Sequence, residues 1–149
     1  GDVAQALALD SEVGPADRHD AVLGRLTALV RNEIAARQLY RVESKSRTDL
    51  AVAAVNPSTF LRNCNGCEIE IAKGLRADCV LTGWIYKMST LILALHIDVK
   101  DVATGKTIYA RVFDFRGDNE EAYAHAVKAL VRSLMDAPPV PANATRKDG

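Results

Sequence analysis

Cys79-Val80-Leu81-Thr82-Gly83-Trp84-Ile85-Tyr86-Lys87, then Met88-Ser89-Thr90, then Leu91 to Asp101, a turn marked by Thr104-Gly105, and Thr107 to Arg116: the fold turns on this stretch. Its runs are rich in β-branched, aliphatic and aromatic residues and are broken only by short polar connections. That pattern predicts three consecutive antiparallel strands. With Leu81 set opposite Ile97, the residues Cys79, Leu81, Gly83 and Ile85 share a face with Leu93, Leu95, Ile97 and Val99. A face made wholly of aliphatic or small side chains is one that helices cover.

Side chains alternate along a strand, so the same pairing defines a second face. It carries Val80, Thr82, Trp84 and Tyr86, with Ile92, Ala94, His96 and Asp98 beside them. The register across the second turn is left open, because a bulge there would flip the third strand, which offers two sets. The smaller, aliphatic set (Ile108, Ala110, Val112, Asp114) is assigned to the helix side, so Tyr109, Arg111, Phe113 and Phe115 are expected to join Trp84 and Tyr86. Aromatic and arginine side chains mixed with polar groups are what the centres of protein interfaces use. Trp84, Tyr86, His96, Arg111 and Phe113 are therefore the candidate interaction surface. The competing reading is that the N-terminal segment or a loop at 44–63 covers this face, with His96 a satisfied structural histidine.

Elements on either side can supply the cover. From about Arg18 to Leu39, Val22, Leu26, Leu29, Val30 and Ile34 recur at helical spacing, and Arg25, Arg31 and Arg37 lie between them on what reads as a solvated face. A last helix is expected over 119–136, opened by Asp118 in a capping-box-like pattern with Glu121, striped by Tyr123, Val127, Leu130, Val131 and Leu134, and ended by Pro138-Pro139. Val3–Leu9 reads as a first strand or a helical start. Tyr40–Glu43 reads as a short strand and Ser44–Asp49 as a loop. Leu50–Val55 reads as a helical turn, and Glu68–Leu75 as a short helix with Gly74 either near its end or within its last turn. Phe60-Leu61 is expected to anchor the intervening loop. The sum is one α+β domain over 1–137, with a mixed or antiparallel sheet of about five strands, two main helices on one face, and a disordered tail at 138–149.

Bulk properties bound the function. The chain has 149 residues, 48% apolar and 26% charged, with 19 basic and 19 acidic side chains and a net charge of zero. It lacks the basic excess of a nucleic-acid binder and any apolar run long enough to span a bilayer. No P-loop, Gly-x-Gly-x-x-Gly, Gly-x-Ser-x-Gly or helical His/Glu metal motif is present. No cofactor and no metal is implied, and the chain is expected not to be an enzyme. Gly1-Asp2 is not a leader, which carries no information on export.

Cys64-Asn65-Gly66-Cys67 is the one chemical motif. A thioredoxin-type site places its first cysteine at a helix N-terminus; here Cys67 is nearer the expected helix start. A zinc site needs two more ligands from Cys79, His19, His96 and His125, none of which is paired. Covalent haem needs His after the second cysteine, where Glu68 stands. A local disulfide between Cys64 and Cys67 is the leading reading, because Asn-Gly tolerates the tight turn it requires. Reduced structural thiols, redox use and metal binding remain alternatives.

Leu61-Arg62-Asn63-Cys64-Asn65-Gly66-Cys67, Ile71 to Trp84, Asp101-Val102-Ala103-Thr104-Gly105 and Asp114 to Glu121 together resemble a family of small bacterial exported proteins of unknown function. In that pattern Arg76 takes the place of a glycine, and Cys79 the place of an apolar residue. The resemblance implies a periplasmic location and an accessory role beside quinoprotein alcohol dehydrogenases. More distantly the alternation is similar to the periplasmic α+β domains of the TolB N-terminal and CsgG type, which are binding and assembly modules. The expected function is a non-catalytic periplasmic accessory or binding protein whose partner is another periplasmic protein or a second copy. The alternatives are a thiol-disulfide oxidoreductase using Cys64 and Cys67, or a small-ligand or metal-binding module.

Overall fold

The structure, a computed structural model, describes residues 4–11, 16–37, 40–55, 66–117 and 119–139. Their order is β1 (Ala4–Ser11), α1 (Ala16–Ala36), β2 (Arg41–Val42), α2 (Lys45–Val55), α3 (Cys67–Gly74), β3 (Cys79–Lys87), β4 (Ile92–Asp101), β5 (Thr107–Arg116) and α4 (Glu120–Asp136). The strands form one sheet ordered β2-β1-β3-β4-β5. β1 runs parallel to β2 and β3, while β3, β4 and β5 form an antiparallel meander. This is the expected α+β class with a mixed five-stranded sheet. The parallel β1–β3 pair is possible because the long connection through α1, α2 and α3 returns the chain to the same end of the sheet.

The β3–β4 ladder sets Leu81 opposite Val99 and Gly83 opposite Ile97, two residues away from the expected pairing. The cause is the connection. Met88 and Ser89 both donate to the Ile92 carbonyl, at 2.9 and 3.2 Å, so the loop runs from 88 through the start of β4 and is longer than three residues. A slip of two preserves which side chains share a face. Cys79, Leu81, Ile85, Leu95, Ile97 and Val99 accordingly lie buried together beneath Leu26, Val30 and Ile34 of α1 and Tyr123, Val127, Leu130 and Leu134 of α4. Arg25 on α1 pairs with Glu120 on α4 at 2.8 Å and sits over the Tyr123 ring, tying the two covering helices together.

α2 and α3 pack on the opposite face at the β1/β3 end, where Ile71, Ala72, Leu75, Ala77, Val80 and Val102 form a second, smaller core with Val52 and Val55 beside it. α2 begins at Lys45, so the expected loop at Ser44–Asp49 is helix. Its signal is a cap. The Ser44 side-chain oxygen accepts from the Arg47 amide at 3.2 Å, its carbonyl accepts from the Thr48 amide at 3.0 Å, and Lys45 pairs with Asp49 one turn on. Polar residues in the first turn and a half hid the helical period. α4 is capped by Asn119, whose side chain accepts from Ala122 at 2.9 Å, and not by Asp118 as expected. Phe60-Leu61, residues 12–15 and the tail from 140 lie outside the described residues. Pro139 is buried, and its carbonyl accepts from the Tyr40 hydroxyl at 2.6 Å, so packing continues past α4.

The end of α3 explains one departure noted in the sequence. Ala77 donates to the Ala72 carbonyl at 2.9 Å and Arg76 to the Lys73 carbonyl at 3.0 Å, the bond pair of a Schellman motif. Arg76, the first of these two donors, has φ 56°, while Gly74 keeps helical geometry inside the turn. The left-handed position therefore holds an arginine, and the glycine sits where a helix former belongs. Arg76→Gly and Gly74→Ala are each expected to stabilise the fold by about 1 kcal/mol, the first by relieving the left-handed cost and the second by helix propensity. A Cβ at 74 meets nothing within 4 Å. Thermal unfolding of the two variants measures this; a lowered midpoint for either contradicts the assignment.

Candidate functional site

The five residues picked from sequence do not share a surface. Trp84, Tyr86 and His96 lie on the face away from α1 and α4, as expected. Arg111 and Phe113 do not. β5 pairs Leu95 with Phe113, Ile97 with Arg111 and Val99 with Tyr109, so its aromatic set faces the helix side. Tyr109 and Phe115 are buried in the main core and Phe113 packs against it. Phe115 meets Tyr123 edge to face, with ring centroids 6.0 Å apart. The physical cause is a β-bulge: the register shifts between Val99 and Lys100, which pairs with Thr107, so one extra residue turns the rest of β5 over. The preceding turn prepares it. Buried Asp101 accepts from the Ala103 amide and the Thr104 hydroxyl, and Gly105 supplies φ 74°.

The bulge puts Val112, not Arg111 or Phe113, beside His96. Opposite residues in a ladder share a face, so Trp84, His96 and Val112 form one row across β3, β4 and β5. Trp84 and His96 stack with centroids 3.9 Å apart and planes 13° from parallel. His96 Nε2 lies 2.9 Å from Asp98 Oδ1 on the same face. The ring is thus held on its flat side by indole and at its edge by a carboxylate. Val112 is 47% exposed. Ala110, Asp114 and Arg116 are exposed along the same side of β5. Tyr86, Ala94 and Asp114 form the next row. Sequence reasoning missed Val112 because only the bulge gives its direction, and the Asp101–Gly105 turn was the available signal for it.

The arginines expected on a solvated face divide. Arg25 pairs with Glu120, and Arg37 with Glu33 at 3.6 Å. Arg31 is half-buried and donates to the Glu43 carbonyl; burial pulls its pKa down from the ordinary value. Arg47 pairs with the buried Glu43 carboxylate at 2.6 Å. Lys100 reaches the buried Glu68 at 3.3 Å. These pairs fasten α2 and α3 to the sheet region and build no anion site.

Cys67 is disulfide-bonded and opens α3; Cys64, its expected partner, lies outside the described residues. Gly66, ahead of Cys67, has φ 85°, so the glycine of the motif is needed there. Cys79 is a free thiol buried in the main core. Burial, with smaller contributions from Asp78 and Asp101, pushes it up from 9.0 to about 12. Among the described residues no three His, Cys, Asp or Glu side chains come together as metal ligands, and no helix is long and apolar enough to cross a membrane.

A twisted mixed sheet with two long helices on one face and two shorter ones at an end of the other defines a small α+β domain of the kind found in LpoB and TolB. More particularly, the chain belongs to the family DUF3280, described as "Protein of unknown function (DUF2380)", whose pattern matches residues 5–135. Among solved structures it is similar to lipoprotein GNA1162 from Neisseria meningitidis, with a TM-score of 0.61 at 14% identity over 91% of this chain and 99% of that one. It is similar to the LpoB C-terminal domain from Salmonella enterica (TM-score 0.55, 17% identity, 76% of this chain and 82% of that one). It is also similar to TolB from Acinetobacter baumannii (TM-score 0.57, 12% identity, 95% of this chain and 29% of that one). At such identities the likeness is one of fold. No curated protein sequence matches the chain.

The Cys79 environment has a thermodynamic consequence. Above pH 9.0 the unfolded thiol loses its proton while the folded one keeps it up to about 12. The unfolded state then binds fewer protons than the folded state, so stability falls as pH rises through that window. Chemical denaturation between pH 9 and 12 should show wild type losing stability more steeply than Cys79→Ala, by up to about 1.4 kcal/mol per unit. Parallel curves would contradict the burial of that thiol.

Proposed function

We propose that this protein is a non-catalytic binding module of the bacterial periplasm, which docks another protein on the outward face of its sheet. The observation that carries the reading is the Trp84–His96–Val112 row. It places a stacked indole–imidazole pair beside an exposed valine, and no described helix lies across it. Such a row is ordered before a partner arrives, so little side-chain entropy is lost on docking. Its mixture of ring, aliphatic and carboxylate groups matches the centre and rim of protein interfaces. The two grooves described beside α4 do not include the His96–Asp98 pair. The likeness to the LpoB domain and lipoprotein GNA1162 supports an envelope setting. The resemblance of the Cys64–Cys67 and Asp101–Gly105 segments to exported proteins found beside quinoprotein dehydrogenases makes a component of such a system the partner we favour.

The test is capture from periplasmic extract by immobilised protein. Wild type and the helix-side control Arg132→Glu are expected to retain the same partner, and the Trp84→Ala/Tyr86→Ala double variant to lose it while keeping its far-ultraviolet circular dichroism. Equal capture by all three removes the face from consideration.

In this reading Cys64 and Cys67 form a structural disulfide that holds the turn ahead of α3. A thiol-disulfide enzyme is the second reading: Cys67 is the first residue of α3, where free amides stabilise a thiolate, but it is the second cysteine of the motif, whereas a thioredoxin-type site puts the first one there. Alkylation of the denatured, unreduced chain is expected to add a single adduct, on Cys79, and three after reduction. Three adducts without reductant would rule out the bond, and catalysed insulin reduction would favour the enzyme.

A further inference from the structure

We infer that the free edge of β5 is an interface between two copies of this chain, paired antiparallel over Ala110–Arg116. β5 is the last strand of the sheet, with nothing hydrogen-bonded to its outer side among the described residues. Natural edge strands are usually blunted by charged side chains, proline, a short length or a bulge. β5 runs for ten residues, Thr107–Arg116, without lysine or proline, and its charges, Arg111, Asp114 and Arg116, are of both signs, so that a second copy can match them. Its bulge lies at the beginning, around Ile108. Gly117, with φ 96°, ends the strand. The segment left between these two features is seven residues long in register, and its middle residue is Phe113.

Two copies related by a twofold axis perpendicular to the sheet pair this segment with itself. Residues whose numbers are symmetric about 113 then face each other: Phe113 meets Phe113 of the second copy, Arg111 meets Phe115, and Val112 meets Asp114. Opposite residues share a face, so Phe113 and Arg111 stay on the helix side in both copies. There the structure holds a groove of about 500 Å³ between β5 and α4, lined among others by Phe113, Phe115, Asn119, Glu121 and Ala126. Its α4 wall is made of Ala122, Ala126 and Ala129 with Glu121 and His125 among them. A strand added to β5 fills this groove with its own Phe113.

Charge selects a second copy as the occupant. Arg111 is exposed; it donates to its own Ala110 carbonyl and lies over its own Tyr109 ring, 5.4 Å from the centroid. Glu121 is exposed in the first turn of α4, at the Phe115 end of the groove. Among the described residues neither makes an ion pair. The symmetric register brings each Arg111 to the other copy's Phe115, beside that copy's Glu121, and does so twice. The inference stands apart from the Trp84 docking face, although pairing would join the two outward faces into one broader sheet.

The test is sedimentation of the full chain over a concentration series. Wild type is expected to dimerise. Arg111→Glu and Glu121→Arg are each expected to raise the dimer dissociation constant about tenfold or more, since two pairs are lost at once. The double variant Arg111→Glu/Glu121→Arg is expected to regain the dimer. Trp84→Ala/Tyr86→Ala should dimerise as wild type, so loss of partner capture and loss of the dimer are separate results. A monomer at every concentration, a dimer indifferent to either reversal, or a double variant that stays monomeric overturns the proposal. Protection of the β5 amides from exchange only when extract protein is added would assign the edge to a foreign strand and overturn it equally.

Discussion

One buried row holds the molecule together. Leu81, Ile85, Leu95 and Ile97 lie on the inner face of β3 and β4 with no exposed surface, sealed by α1 and α4. Each such side chain contributes about 1.5–3 kcal/mol on leaving water, and the four are contiguous, so the helices have little freedom in where they rest. Everything on the other side follows from that burial. A strand that points Ile85 inward must point Trp84 outward, and one that points Leu95 and Ile97 inward must present His96 to the far face. The outward row is the geometric remainder of the core, which is why it is continuous across three strands.

That row also shows why some errors of sequence reading are harmless and others are not. The β3–β4 pairing read from the sequence was two residues off, because the connection after Lys87 is longer than Met88-Ser89-Thr90. Side-chain direction repeats every two residues, so every face assignment on both strands survived. On β5 the register was open and the inward set was chosen by side-chain size; the bulge at Val99/Lys100 shifts the pairing by a single residue, and that reverses every side chain beyond it. Choosing the smaller residues for the helix side was reasonable for a flat sheet. It failed because the bulge turns Phe115 and Tyr109 inward, where Phe115 packs edge to face on Tyr123 and the Tyr109 hydroxyl donates to Ser133 of α4.

What stayed illegible was set by local hydrogen bonds rather than by hydrophobic period. α2 carries Lys45, Ser46, Arg47 and Asp49 in its opening turns, and nothing there alternates. Only the Ser44 cap and the Lys45–Asp49 pair announce it. The α3 terminus was partly legible. Gly74 read as lying near the helix end or within its last turn, and it lies within it; the left-handed residue falls two positions later on Arg76, whose amide and that of Ala77 close the helix. Glycine is a good marker of a left-handed residue, but the bond pattern decides the position. The glycine that the family pattern places at 76 agrees with the geometry found there.

The three cysteines make sense on the same two-faced plan. Cys67 belongs to the small core formed by α2, α3 and Val80, whereas Cys79 lies in the large core on the other side of the sheet. Adjacent residues of β3, Cys79 and Val80, thus point into different compartments of one molecule. A chain that keeps a disulfide in an oxidising environment must keep any odd thiol from attacking it, since exchange requires a thiolate with access to the bond. Here the odd thiol has neither. The sheet stands between it and Cys67, and burial holds it in the neutral form far above the pH at which thiols ordinarily ionise. An apolar residue would pack there equally well, so the sulfur at 79 is tolerated because the fold makes it inert.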